Sequence, residues 1–346
     1  MPTYFFVANS IHSLRTFFIT AGILCLFAST LCAAPKAGFK AYIVGNPADA
    51  QPAPTLSPGL VLMGGGTDVD AAFQWMCQRA GGGDFVVIRT TGTDAYNPYI
   101  QELCPEMDSV ETIIINNVNG ANSEYVSSHI QNAEALWIAG GDQSTYTALW
   151  RGTAVQNGVN DLLNTKQVPV GGTSAGLAVL SQFIYTGARG SVTSSQALAN
   201  PFHRYVTLER ELFNSALGVD KLYDSHFVTR DRMGRSLVFL ARIVNSGWST
   251  QPRGIGIDEQ TALLVLPNGD ATMVGNGAAY FLQAPSGPAQ VIGDGTPLTY
   301  LNIGVYKLPQ GGTFNFSTWS GTGGVAYTLN VNNGALTSTQ AGGEIY

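Results

Sequence analysis

Short apolar runs punctuated by glycine organise the chain between residues 60 and 176. Leu60-Val61-Leu62-Met63, Asp84-Phe85-Val86-Val87-Ile88-Arg89, residues 110–118, Ala135-Leu136-Trp137-Ile138-Ala139 and Val168-Pro169-Val170 are near-continuous hydrophobic stretches of strand length. Residues 70–80, 96–104, 123–132 and 144–163, which lie between them, have helical character. Strands that are apolar throughout and alternate with helices predict an α/β fold with a mainly parallel sheet flanked by helices, because both faces of such strands are covered. Beyond the fifth strand, residues 187–200 read as a polar loop and 208–218 as a short helical piece. Residues 236–244 read as an apolar helix and 263–266 as another strand. From Gly269 the pattern changes to short β segments at 271–274, 278–282 and 304–308. Residues 317–346, rich in Gly, Thr, Ser and Asn, predict a β-rich C-terminal extension, a hairpin appendage or surface tail.

The N-terminus has a different pattern. Arg15 is the last charge before the apolar run 16–31, and Cys32-Ala33-Ala34 supplies the small residues of a cleavage site. This order predicts a secretory signal over residues 1–34, with no stable membrane anchor once it is removed. The competing expectation is an uncleaved anchor, since the run approaches spanning length. Residues 35–58, rich in Pro and Ala, read as a lead-in wrapping the surface. Removal of the signal takes Cys25 and Cys32 and leaves Cys77 and Cys104 in an oxidising compartment, where one disulfide is open to them. The expected location is extracellular or periplasmic.

Composition narrows the function. Charged residues make up only 12% of the 346, and the net charge is −6. That balance argues against a nucleic-acid partner, which needs a basic face. The four Cys and four His show no zinc-type spacing, so neither metal nor cofactor is expected.

Three of the strands end in glycine clusters: Gly64-Gly65-Gly66, Gly140-Gly141 and Gly171-Gly172. In a parallel sheet the site lies at the carboxyl ends of the strands, which puts Gln143 and Ser174 on one edge. Gly172-Thr173-Ser174-Ala175-Gly176 fits G-x-S-x-G, a nucleophile elbow, whose small flanking residues let a strained strand-to-helix turn close. A glycine turn with a serine N-cap explains the same residues. Gly64 to Gly66 lack any phosphate-loop spacing and read as a tight turn or a packing feature.

A serine nucleophile needs a base. Of His129, His203 and His226, the last sits where a strand end meets a helix start, beside Asp224 and ahead of Arg230, Arg232 and Arg235. Asp258 and Glu259 close an apolar strand entry, a costly place for carboxylates unless they are paired, and either could orient the histidine. The order Ser, His, acid differs from that of the α/β-hydrolases. Three arginines together suit an anionic substrate, through their two-pronged donor fork, or pairing with surface acids.

Gly140-Gly141-Asp142-Gln143, Gly171 to Gly176, Asp224-Ser225-His226-Phe227 with the three arginines, and Gly256-Ile257-Asp258-Glu259 together resemble the cyanophycinases. These form a serine peptidase family that also contains the aspartyl dipeptidases. The resemblance covers residues 59–316 as a catalytic domain and implies a fold like the class I glutamine amidotransferases. It implies Ser174 as nucleophile, His226 as base and Glu259 as the orienting acid, with Asp258 as the fallback. The N–H groups of Gly141, Asp142 and Ala175 would form the oxyanion hole. Gln143, Asp224, Ser225, Arg230, Arg232 and Arg235 fall on substrate-binding positions. The implied reaction releases β-Asp-Arg dipeptides from cyanophycin (multi-L-arginyl-poly-L-aspartate) through an acyl-enzyme. A related peptidase acting on short acidic peptides, or a catalytically silent polymer-binding protein, are the alternatives. A homodimer is compatible with the sequence, which sets no oligomeric state. The chain departs from the family at Ser225, where glutamine is usual, at Asp231, and in a long stretch between Ser174 and His226.

Overall fold

The computed structural model describes residues 38–48, 50–51 and 53–346. The secretory segment expected over residues 1–34, with Cys25 and Cys32, lies outside the described residues, as do positions 35–37 of the lead-in. Among the described residues six strands precede Ser174: β1 (Phe39–Gly45), β2 (Gly59–Met63), β3 (Asp84–Arg89), β4 (Ser109–Ile115), β5 (Ala135–Ile138) and β6 (Pro169–Thr173). After it come β7 (Phe183–Tyr185), β8 (Leu208–Arg210), β9 (Lys221–Asp224), β10 (Arg253–Ile257), β11 (Thr261–Val265), β12 (Asp270–Gly275) and β13 (Ala279–Gln283). The chain ends with β14 (Val291–Gly293), β15 (Thr296–Leu308), β16 (Thr313–Asn315), β17 (Ser320–Thr322), β18 (Val325–Asn332) and β19 (Ala335–Ser338).

Among the described residues these strands build two sheets. The ten-stranded sheet runs β1-β4-β3-β5-β6-β2-β11-β12-β16-β17. Its block β4-β3-β5-β6-β2 is parallel throughout. The apolar runs explain that block, because alternate residues feed two cores. Leu60, Leu62, Val86, Ile88, Leu136 and Ile138 pack on one face, and Val61, Met63, Phe85, Val87, Ala135 and Trp137 on the other. Each such side chain contributes about 1.5–3 kcal/mol by leaving water. Pro169 is tolerated in the central strand β6 because it is the first residue there.

The expectation of one mainly parallel sheet is corrected outside that block. β1 joins β4 antiparallel, and β11, β12, β16 and β17 extend the other edge antiparallel. A second, nine-stranded sheet holds β19-β18-β15-β13-β10-β9-β7-β8, with β14 beside β15. Only β7, β9 and β10 are parallel neighbours within it. Helix Met233–Asn245 packs its apolar face on this sheet through Leu237, Phe239 and Leu240.

Four local expectations differ from what forms. The lead-in contains the edge strand β1, whose Tyr42, Ile43 and Val44 are exposed, so little burial marks it in the sequence. Residues 194–199, expected as loop, form a helix set by a Thr193/Gln196 capping box. Residues 208–218, expected as helical, give strand β8 and one turn of 3-10 helix at Ala216–Gly218. The last thirty residues are woven into the sheets: β17 pairs with β16, Gly321 opposite Phe314, and β18 pairs along β15 with Leu329 and Val331 fully buried. Cys77 and Cys104 are bonded, joining helix Asp70–Ala80 to the end of helix Tyr96–Leu103. Among the described residues no helix is long and apolar enough to cross a membrane.

Candidate active site

β6 lies between β5 and β2, parallel to both, so the loops after all three leave the same sheet edge. Ser174 follows β6 with φ 53° and ψ −111°, a sparsely populated conformation for a residue with a side chain, and caps the short helix Ala175–Ala178. The turn closes only with glycine at both flanks. A Cβ on Gly172 would come within 2.5 Å of the Gly176 carbonyl carbon, and one on Gly176 would strike the Ile138 carbonyl. The Ser174 N–H donates to the Met63 carbonyl at 3.1 Å, which ties the elbow to β2.

His226 and Glu259 come from the second sheet, where β9 and β10 run parallel and paired as far as Asp224 and Gly256. The two loops therefore emerge side by side. Ser174 Oγ lies 2.8 Å from His226 Nε2, and His226 Nδ1 lies 2.5 Å from Glu259 Oε1. The acceptor on Nδ1 places the ring proton there and leaves Nε2 free to receive one from the hydroxyl. The His226 side chain is 8% exposed. Burial pushes its pKa below the ordinary 6.5, and Arg230 and Arg232 push the same way against Glu259. The imidazole is thus neutral at pH 7, the form a base requires.

Asp258, the alternative acid, does not reach the histidine. Its Oδ1 accepts from the N–H groups of Val228 and Thr229 at 3.1 and 3.0 Å and from the Thr229 hydroxyl at 3.0 Å. It closes the turn that follows His226.

Gly64 to Gly66 pack under His226 and Glu259, in line with the packing reading of their pattern. The Gly64 carbonyl accepts from His226 N–H, and the Gly65 carbonyl from Gln260 N–H, both at 2.8 Å. Gly65 has φ +102°, and a Cβ there would sit 2.6 Å from His226 Nε2. A Cβ on Gly66 would press on Glu259 at 3.0 Å. This glycine run is the floor on which the base and the acid rest. A run of three glycines after a buried strand on the site edge was the available signal. Gly65→Ala is expected to displace the imidazole and lower kcat/KM by at least about 10²-fold. Turnover assays beside a thermal melt check this, and a variant of wild-type activity would show that the ring tolerates the shift.

The six expected substrate positions divide. Asp224 and Arg235 are buried and engage each other through two Arg235 nitrogens, at 2.9 and 2.5 Å. Burial alone would raise the Asp224 carboxyl, but Arg235, Arg232 and the Ser236 hydroxyl outweigh it and hold it below the carboxylate range. Arg235 also stacks over Tyr185 at 4.8 Å. Each of the two buried charges thus has the other as its partner, as buried charges require. Arg232 Nη1 donates to the Ser225 carbonyl and hydroxyl at 2.9 and 3.2 Å. Burial lowers the Arg232 guanidinium to about 10. Arg230 is the open one, with 54% of its side chain exposed and Nε 3.8 Å from Glu259 Oε1. Gln143 starts helix Gln143–Trp150 and donates to the Tyr185 carbonyl at 3.1 Å. Asp231 accepts from the Tyr346 hydroxyl at 2.9 Å.

Of the expected oxyanion positions, Ala175 is the first residue of the helix behind Ser174, and Asp142 caps helix Gln143–Trp150 through Ser144 N–H at 2.9 Å. Gly141 is backed by the Tyr146 hydroxyl, and the neighbouring Gly140 lies against the Ser174 side chain. His129 is remote in role: it pairs with Glu111 and stacks on Tyr125. Among the described residues no group of three or more His, Cys, Asp or Glu is arranged to hold a metal ion.

With one exposed cation beside a buried neutral imidazole, charge removal has a defined sign. Arg230→Gln deletes a cation that disfavours imidazolium, so the His226 pKa rises and the acid limb of kcat/KM moves to higher pH. A pH–rate profile of both proteins checks it; a shift to lower pH would contradict the electrostatics.

No protein-family model matches the chain. It is 24% identical over 217 residues to a cyanophycinase of Nostoc sp., covering 60% of this chain and 65% of that one. The chain thus spans slightly under two thirds of that relative. It is 25% identical over 281 residues to a cyanophycinase of Synechococcus elongatus, covering 75% of this chain and 80% of that one. A solved peptidase from an acI-B1 actinobacterium shares the fold, with a TM-score of 0.50, 15% identity, and coverage of 75% of this chain and 98% of that one. By these similarities the chain is cyanophycinase-like.

Proposed function

We propose that the chain is a secreted serine-type exopeptidase that hydrolyses cyanophycin to β-Asp-Arg dipeptides. The observation that carries this reading is the continuous relay Ser174–His226–Glu259, with links of 2.8 and 2.5 Å. His226 takes the Ser174 proton as Oγ attacks the scissile carbonyl. The N–H groups of Ala175 and of the 141–142 segment receive the oxyanion, aided by the positive end of the helix behind the serine. The amine leaves with the proton from His226, and an acyl-enzyme remains. Water then attacks the ester, giving up its proton to the same imidazole, and Ser174 is restored. The substrate class comes from the relatives that bear the cyanophycinase name. Arg230 and the partly buried Arg232 suit the polymer's carboxylates. The parallel block with its elbow at the carboxyl edge supports a class I glutamine amidotransferase-like fold.

Incubation with cyanophycin granules and analysis of the soluble products tests the proposal. Release of β-Asp-Arg dipeptide is the expected result. Cleavage of short Asp-X peptides with no dipeptide from granules would overturn the substrate assignment. Binding of granules without Ser174 labelling by a fluorophosphonate would overturn the enzyme assignment. N-terminal sequencing of protein exported by its host tests the cleavage expected after Ala34.

A further inference from the structure

A second pocket, of about 380 Å³, lies between the loop after β7 and the end of helix Met233–Asn245. Arg189, His203, Arg204 and Arg242 line it, with Phe202 and Trp248 as apolar walls, and no Asp or Glu is among its lining residues. In a protein of net charge −6 this local excess of cations is unusual. Among the described residues none of the three arginines has a carboxylate within ion-pair distance.

Their neutral contacts leave capacity over. Arg242 Nη1 donates to the Pro201 carbonyl at 2.8 Å, and its guanidinium lies 3.9 Å over the Phe202 ring. Arg242 Nε is buried and has no acceptor. Burial alone lowers the Arg242 pKa, with no anion opposing it. Arg204 donates to the Tyr205 hydroxyl at 2.7 Å and lies 4.7 Å over the Tyr205 ring. His203 Nδ1 accepts the Tyr205 N–H at 3.3 Å, which leaves Nε2 as a donor. A half-buried guanidinium with an unused donor, two further cations and no internal carboxylate is an arrangement completed by an external anion. The place matters too. A Cβ placed on Gly187, two residues before Arg189, would come 3.7 Å from the Gln143 amide nitrogen, within ordinary van der Waals contact. One short loop therefore joins this pocket to the edge that carries Ser174.

We propose that this pocket is an anion subsite that holds a carboxylate of an extended acidic peptide at a distance from the bond being cut. It rests on the reading of the substrate as an aspartate polymer. The chemistry is shared by free phosphate, so both are tested. Binding of poly-L-aspartate and of inorganic phosphate is measured by calorimetry on full-length Ser174→Ala protein, with and without Arg189→Gln and Arg204→Gln together. Both arginines are exposed, so the pair is expected to fold, and a thermal melt verifies it. The double substitution is expected to weaken poly-L-aspartate at least about tenfold. In the Ser174 background it should also raise KM for granules while kcat, and kcat/KM for a short Asp-X peptide, stay unchanged. Unaltered poly-L-aspartate binding would overturn the subsite. Phosphate binding with no poly-L-aspartate binding would overturn its assignment to a peptide. The calorimetric arms need no turnover, so a protein that fails to cleave cyanophycin yet loses poly-L-aspartate in the double variant keeps the subsite and loses only the activity reading.

Discussion

Ser174→Ala is expected to lower kcat on cyanophycin by about 10⁶-fold while leaving granule binding near its wild-type strength. The substitution removes one oxygen from a side chain that accounts for little buried surface, so the polymer-contacting groups keep their places. What disappears is the atom that would form the proposed acyl bond. Arg230 is on the neighbouring loop, and Gln143 keeps its bond to the Tyr185 carbonyl. The measurement is dipeptide release against granule co-sedimentation, with circular dichroism to show an intact fold. Residual turnover within tenfold of wild type would mean that a different nucleophile operates. The positive φ at this position belongs to the turn and not to the hydroxyl, so alanine inherits the same strain and little net change in stability is expected.

Glu259→Gln should cost about 10⁴-fold in kcat with KM little changed. In the proposed mechanism a carboxylate on Nδ1 fixes the tautomer and would stabilise the imidazolium formed when Ser174 attacks. An amide can donate to that nitrogen instead, which moves the proton to Nε2 and blocks proton uptake from the serine. The control is Asp258→Asn, one residue away. It keeps an oxygen for the N–H groups of Val228 and Thr229, so it should cost less than about tenfold. A reversed ranking would return the third role to Asp258.

Much of the first sheet was legible because its strands are buried on both faces. A strand such as Ala135–Ile138, with no exposed residue, has no polar alternation, and that pattern is available to a parallel, covered strand. The elbow was legible for a steric reason, since Gly172 and Gly176 must nearly touch. Less was legible where burial is one-sided or slight. β1 exposes most of its side chains, and β18 alternates on a two-residue period within a Gly, Thr and Asn background that also suits turns. The burial of the arginines was not legible, because spacing gives no depth. Arg230 and Arg235 are five positions apart, yet one is open to solvent and the other is held between Asp224 and Tyr185.

The parallel block, the strained serine at its carboxyl edge, and the order of serine, histidine and acid can all be read from the residues alone. Each follows from local sterics or from burial along a single strand. Which carboxylate meets His226, the packing of Gly65 and Gly66 under the pair, the meeting of Cys77 with Cys104, and the place of residues 317–346 in two sheets emerge on folding. Those outcomes depend on which strands become neighbours. Asp258 and Glu259 are adjacent in the chain, and the parallel pairing of β9 with β10 turns one toward the imidazole and the other toward the turn behind it.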